Sequence, residues 1–324
     1  MKRSAILAAG MLSLIVAAGL PAVGAMAAPQ MPGVLTQVAG AYRFQIGDAQ
    51  VSALTDGTAP QDLHQLLRGI TAPETDALLA HEMLSNPVQT SINVYLVEIG
   101  GRRILVDTGV GELFGPGSGG RLLGSLAAVG VRPDQIDDIL ITHVHPDHVG
   151  GLVVGGKVIF PKAVIHLGKP DLAYFVEPGS GLSHADAKSS DEAIKMLKPY
   201  IDAGKVTPFE KAGLILPGIT AIPHPGHTPG SAFYVLESKG QKIAFVGDIV
   251  HAAAVQFPTP SVSIQYDASG PLAIGVRQEA FAAFAADGVL IAAPHLAFPG
   301  VGYVQVSGRG YRWIPVNYEN WSKN

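Results

Sequence analysis

The run Thr142-His143-Val144-His145-Pro146-Asp147-His148-Val149-Gly150-Gly151 places three imidazoles and one carboxylate within six residues, directly after the apolar stretch Ile139–Ile141. If that stretch is a strand, His143 and His145 share one face, because side chains alternate along a strand, and a turn at Pro146 swings Asp147 and His148 toward a neighbouring point. Imidazole and carboxylate without thiolate or a carbonyl-rich loop suit zinc, manganese, cobalt or iron better than calcium. Four ligands from one short loop exceed the three that an open catalytic zinc usually keeps, so two ions share the cluster more comfortably.

Composition narrows the context. Nearly half of the 324 residues are hydrophobic and none is cysteine. The absence of thiols excludes a Cys nucleophile, a thiolate zinc site and disulfides. The start reads Met1-Lys2-Arg3, then apolar residues from Ala5 to about Val23 interrupted by Gly10 and Gly19, then Ala25-Met26-Ala27. That is the pattern of a cleaved secretory signal over residues 1–27, and its unbroken apolar part is shorter than the roughly 20 residues of a spanning helix. A periplasmic or secreted domain over residues 28–324, without a membrane anchor, is therefore expected. Taking Lys2 and Arg3 from 22 basic residues leaves 20 against 26 acidic ones. Nucleic-acid surfaces are normally basic, so no nucleic-acid partner is expected.

Outward from the cluster, alternation predicts strands at Tyr42–Asp48 and Val51–Leu54 followed by a turn at Asp56-Gly57. Hairpins are predicted around Gly100-Gly101, around Lys239-Gly240 and at Ser307–Gly310, and strands at Ile139–Thr142 and Val289–Ala293. Helical spacing covers Arg121–Val129, ending at Gly130, and Gln278–Ala286. Ser189 with Glu192 reads as a capping box opening a helix toward Tyr200. An internal echo links Gly101–Val110 (GRRILVDTGV) to Gly240–Val250 (GQKIAFVGDIV): each gives a turn, a strand and an Asp at the strand end. Each is followed later by a strand that ends near a histidine, His143 or His295. Two β-rich halves with flanking helices imply a four-layer αββα sandwich in the α/β class.

The run THVHPDHVGG resembles the HxHxDH motif of the metallo-β-lactamase superfamily. Pro225-Gly226-His227-Thr228-Pro229-Gly230 resembles that family's PGHTPG loop, and Val246-Gly247-Asp248 its strand-end carboxylate. The resemblance implies one ion held by His143, His145 and His227, a second by Asp147, His148 and His295, and Asp248 bridging them. Asp248 and Asp147 are then the catalytic carboxylates. Zinc is expected first among the divalent ions.

His64, His81, His166 and His184 are expected at plain surface or core positions, and His224 beside the ligand loop. His251 is a candidate for the pocket. Asp107, in LVDTG, is a candidate acceptor behind a ligand histidine or a turn cap.

Within the superfamily, His145 stands where flavodiiron proteins carry Glu, and Asp248 argues against lactamases that lack the bridging carboxylate. The stretches LVDTGVGELFGPG (Leu105–Gly117), HAAAVQFPTPSVSIQYD (His251–Asp267), AAPHLAFPG (Ala292–Gly300) and GYRWIPVNY (Gly310–Tyr318) are similar to methyl parathion hydrolase and its lactonase and arylesterase relatives. That subgroup implies hydrolysis of a small uncharged lactone, aryl ester or organophosphate triester by a metal-bridging hydroxide, and a homodimer. Phe114 and Phe175 match its pocket aromatics. Ser189-Ser190 stand where an aromatic is expected in the phosphotriesterases, which favours a lactonase. Two alternatives remain: a glyoxalase-type thioesterase, with Arg309 and Arg312 near a thiol-peptide carboxylate, and a periplasmic metal-binding module without turnover.

Overall fold

The computed structural model describes residues 37–177 and 185–319. The expected signal over residues 1–27, His184 and much of the Gly179–Ser190 stretch lie outside them. Among the described residues, no helix is long and apolar enough to cross a membrane.

Two seven-stranded sheets follow one another along the chain. The first runs in the order β1 (Ala41–Ile46), β2 (Ala49–Gln61), β3 (Val88–Ile99), β4 (Arg102–Val106), β5 (Asp138–Leu140), β6 (Val164–Gly168) and β7 (Val206–Phe209). The second runs β8 (Gly213–Leu216), β9 (Ile219–Pro223), β10 (Ala232–Ser238), β11 (Gln241–Phe245), β12 (Leu290–Ala292), β13 (Val301–Ser307) and β14 (Gly310–Pro315). In each sheet an antiparallel hairpin leads to a parallel partner: β3–β4 then β5, with Ile104 facing Asp138, and β10–β11 then β12, with Ile243 facing Leu290. The internal echo in the sequence is this shared topology.

Strand alternation assigns the layers. Tyr95, Val97, Ile104 and Val106 of the first sheet meet Tyr234, Leu236, Ile243 and Phe245 of the second in one apolar core. The residues between them, Val94, Leu96 and Leu105, turn outward and join Ile139, Ile165 and Leu167 against helices. Those helices are α2 (Leu122–Ala128) and α3 (Ala187–Asp202), which follow α1 (Ala72–His81) in the chain. Helix α3 buries Ala193, Met196, Leu197 and Tyr200, the i, i+3, i+4, i+7 stripe of a one-sided helix. On the other outer face, Phe233, Ala244 and Ile291 pack against Phe281 and Ala280 of α4 (Gly270–Asp287). The layer order is therefore αββα, as the sequence implied.

Three local expectations differ. Asp56-Gly57 is not a terminal turn: it lies inside β2, where the register slips between Thr55 and Gly57. The slip turns the Asp56 carboxylate inward, where the backbone N–H groups of Val110, Gly120 and Leu122 donate to it at 2.8–3.0 Å. Helix α3 is capped by Asp186, which accepts from Ser189 N at 3.1 Å, and not by Ser189; Glu192 instead faces Lys188 at 3.6 Å. Helix α4 starts at Gly270, earlier than the apolar spacing indicates, because Pro271 suits a first turn and needs no N–H partner.

Candidate metal centre

Both sheets deliver side chains to one end of the sandwich. From the first come His143 and His145, just past β5, and Asp147 and His148 on the one-turn helix Pro146–Val149. From the second come His227, in the loop between β9 and β10, Asp248 past β11 and His295 past β12. The halves touch directly here. A Cβ on Gly247, whose φ is +51°, would sit 3.0 Å from Thr142 Cβ, so the bend that presents Asp248 needs glycine.

The donor atoms fall into overlapping sets. His143, His145, His227 and Asp248 form one, Asp147, His148 and His295 a second, and within each set the donors lie within 4.8 Å of one another. His145 Nδ1 is 3.0 Å from both His143 Nε2 and His227 Nε2. Asp248 Oδ2 lies 3.3 Å from His227 Nε2 and 3.1 Å from His295 Nε2, while its Oδ1 is 3.3 Å from His148 Nε2. Asp248 thus stands between the sets. A third set adds His251 to Asp248 and His295, with His251 Nε2 2.9 Å from Asp248 Oδ2.

Three of the histidines, His148, His227 and His295, are aimed by a partner on the far side of the ring. Asp107, with φ +62°, accepts from His148 Nδ1 at 2.9 Å and from Thr142 N at 2.8 Å, so it serves both the turn and the histidine. Asp267 Oδ1 accepts from His227 Nδ1 at 2.8 Å, and Ser91 O from His295 Nδ1 at 2.9 Å. Carbonyl or carboxylate partners of this kind fix ring orientation and tautomer in metal sites. Asp171 is buried and accepts from Val144 N, Gly230 N and Thr228 Oγ1 at 2.9, 2.6 and 2.9 Å, joining the THVH and PGHTPG loops. Burial raises its carboxyl to about 6.

Electrostatics separates the rings. Burial, with the neighbouring imidazoles, holds His143 and His145 well below the ordinary histidine value, so both are neutral and able to donate lone pairs. Burial also opposes charge on His148, but Asp248, Asp107 and Asp147 outweigh it and hold His148 well above that value. Burial likewise penalises the Asp248 carboxylate, yet His295 and His148 overcome it and keep Asp248 ionised. Among the described residues, His148 Nε2 and Asp248 Oδ1 are buried without a hydrogen-bond partner. Orphaned buried polar atoms are rare in folded proteins and point to an ion or water. Neutral His143 and His145, an ionised Asp248 and the orphaned donor atoms together fit divalent ions, which would displace the protons that the neighbouring carboxylates favour on His148, His227 and His295.

Phe175 lies with its ring 5.7 Å from His145, and Phe114 is partly exposed; both line a cavity of about 560 Å³ together with Tyr174, Tyr266, His251 and Ser189. Outside the cluster, His224 stacks on Phe233, His166 bonds Asp138, and His64 bonds Asp76. His81 is exposed beside Glu82. Asp171 and Asp267 received no role from the sequence, since nothing local distinguishes a lone Asp that reaches a ligand loop across the fold.

The family model of the metallo-beta-lactamase superfamily matches residues 88–301. The chain belongs to that superfamily. A solved superfamily structure, the hydrolase AbOPH, superposes with a TM-score of 0.82 at 36% identity, covering 88% of this chain and all of that one. The dizinc quorum-quenching lactonase AidC, in complex with the product N-hexanoyl-L-homoserine, superposes at 0.78 with 25% identity, covering 87% of this chain and 99% of that one. Among curated relatives, ribonuclease TTHA0252 of Thermus thermophilus is 28% identical over 180 residues, 52% of this chain. The uncharacterized protein YobT of Bacillus subtilis is 30% identical over 158 residues, 49% of this chain. The matches span 38% and 62% of those two proteins.

Proposed function

We propose that this protein hydrolyses small uncharged esters, lactones first, with aryl esters and organophosphate triesters as further substrates, in the manner of the methyl parathion hydrolase-like subgroup. The observation that carries the reading is the two-set His/Asp centre opening into a cavity with aromatic walls. Phe114, Tyr174, Phe175 and Tyr266 supply apolar wall, and among the described residues the one lysine that lines the cavity, Lys188, faces Glu192. Such a wall suits a neutral, partly apolar substrate better than an anion.

In this reading His143, His145 and His227 would hold one ion and Asp147, His148 and His295 the other, with the Asp248 carboxylate available to either set. Two bound divalent ions supply a water whose pKa falls from about 15.7 toward about 7 and a Lewis acid for the carbonyl or phosphoryl oxygen. The chain's own work is positional. Asp107 and Asp267 fix the rings, Phe175 excludes water beside His145, and Asp248 can take up a proton at the junction of the two sets. His251, neutral because burial outweighs the pull of Asp248, presents a ring nitrogen at the same junction. Zinc is proposed first, since neutral imidazole with carboxylate is a common zinc environment.

The thioesterase alternative gains no support. Arg309 sits in the β13–β14 turn and Arg312 bonds Gln305 at 2.8 Å, and neither lines the cavity among the described residues. A nuclease reading lacks a basic surface, with a net charge of −4.

The test is initial rates on an N-acyl homoserine lactone, p-nitrophenyl acetate and methyl parathion with bound metal quantified. Metal-dependent turnover of at least one class is expected, abolished by His145→Ala and Asp248→Ala. Background rates on all three with two ions bound would overturn the proposal.

A further inference from the structure

A second cavity, about 150 Å³, lies behind the metal centre and shares His251, His295, Leu63 and Thr90 with the larger one. Its walls differ in character. Leu63, Leu79 and Val88 form one side, and the consecutive small residues Ala252, Ala253 and Ala254 form the other. Leu63, Leu79, Val88, Ala252 and Ala254 belong to a small apolar cluster in which the segment between β2 and β3 packs on the segment after Asp248. Leu84 also lines it and is 45% exposed although it is a large apolar residue, so the cavity reaches the surface there.

The partition between the cavities is fixed. Gln256 is fully buried, and its Oε1 accepts from His251 N at 2.7 Å and Ala252 N at 3.1 Å while its Nε2 donates to Val262 O at 3.1 Å. His251 is therefore held at the junction, its ring 5.0 Å from that of His295. Close-packed interiors seldom keep an apolar void of this size. A cavity of about 150 Å³ whose wall is mostly aliphatic, alongside Gln89, Thr90, Ser91 and the two histidines, can accept a ring of six carbons.

We propose that this cavity is the binding site for an apolar acyl arm of about six carbons, with the remainder of the substrate in the larger aromatic cavity. The proposal rests on the ester-hydrolase reading above. A carbonyl carbon carries two arms that diverge, and two cavities diverge here from one pair of histidines. The three alanines make the room, and each methylene moved from water into it strengthens binding about fourfold.

The test has a catalytic and a non-catalytic arm. In the first, the metal-loaded wild type, Ala254→Phe and Leu84→Asp are compared on p-nitrophenyl acetate and p-nitrophenyl hexanoate. Ala254→Phe fills the cavity; Leu84→Asp places a charge at its exposed mouth, where folding is not at stake. Both variants are expected to raise KM for the hexanoate at least tenfold and to leave acetate within about twofold. Equal effects on the two esters, or none, would overturn the proposal. In the second arm, metal-free protein is titrated calorimetrically with N-methylhexanamide, an uncharged mimic of the acyl half. Saturable binding to wild type that weakens at least tenfold in both variants is expected, and equal affinity in all three proteins overturns the assignment. If no ester is cleaved but the amide still discriminates the variants, the hydrolase reading fails while the cavity assignment stands.

Discussion

The carboxylate of Asp267 lies 2.8 Å from Nδ1 of His227, forty residues earlier in the chain, and the same carboxylate accepts from Ile264 N at 3.0 Å. One side chain thereby sets both the His227 ring and the bend that enters helix α4. Removing it with Asp267→Ala should weaken binding of the ion at His227 by about 10–100-fold, while Asp267→Asn, which keeps an acceptor, should lose less. Competition against a chromophoric chelator measures this. An unchanged affinity in the alanine variant would show that His227 needs no partner.

Asp107 combines a backbone and a side-chain demand. Its φ of +62° is tolerated by Asp and Asn but strains Ala, and its carboxylate serves Thr142 N, Thr142 Oγ1 and His148 Nδ1. Asp107→Ala should cost about 3–5 kcal/mol, the sum of strain and lost hydrogen bonds, and Asp107→Asn roughly half of that. Urea unfolding of the metal-free proteins at pH 7 gives both values. Equal costs would mean that the backbone conformation contributes nothing.

Away from the centre, Asp138 joins Arg102 and His166 across the first sheet, with His166 Nε2 at 2.9 Å and Arg102 Nε at 3.0 Å. Burial opposes its ionisation, but the bonds to His166 and Arg102 win and lower its pKa below 3.8. A carboxyl whose folded pKa is depressed stabilises fully above its unfolded pKa, and the gain disappears as pH falls through the folded value. Asp138→Asn should therefore cost about 2 kcal/mol at pH 7, from loss of charged hydrogen bonds. The gap from wild type should shrink below pH 4. Denaturant midpoints between pH 2 and pH 7 check this, and a gap that stays constant contradicts it.

Gly168 ends β6, and a Cβ there would sit 2.1 Å from Gly230 O in the loop that carries His227. Gly168→Ala should destabilise by at least about 2 kcal/mol through this overlap and displace His227. Gly275, inside α4, faces open space, so Gly275→Ala should stabilise by about 0.5–1 kcal/mol. Thermal melts of the two variants should move in opposite directions.

Chelation should expose how much the centre contributes to stability. An ion present at about 1,000 times its Kd adds about 4 kcal/mol, or roughly 10 °C in a domain of this size. Adding a chelator should lower the melting temperature by that order, and zinc should restore it. A melt indifferent to both would show that the buried atoms His148 Nε2 and Asp248 Oδ1 need no ion.

Much of this was legible in the residues. Alternation and turns located the hairpins around Gly100-Gly101 and Lys239-Gly240, because a strand buried on both faces, such as Val94–Val97, leaves little freedom in its register. The seven expected ligand residues converge, since short loops directly after strands carry most of them. What stayed hidden depends on long-range contact. Asp56 reads as a turn because Asp-Gly usually is one, and only the N–H groups of Val110, Gly120 and Leu122 turn it inward. Asp171 and Asp267 look like ordinary loop acids until the fold brings the His227 loop to them. Asp186 outcompetes Ser189 as the cap of α3 because its carboxylate reaches Ser189 N and Oγ together.

Asp171 is bonded at once to Val144 N, beside the first two histidines, and to Gly230 N, beyond the third. The set His143, His145, His227 and Asp248 and the set Asp147, His148 and His295 each draw on both halves of the chain, and this one carboxylate is a seam between them. A fragment ending before β8, or one beginning there, should leave the ions in solution. Bound metal is then a gauge of intact tertiary structure: anything that opens the seam, whether heat, a nick or a mutation far from the ligands, should be read out first as released ion.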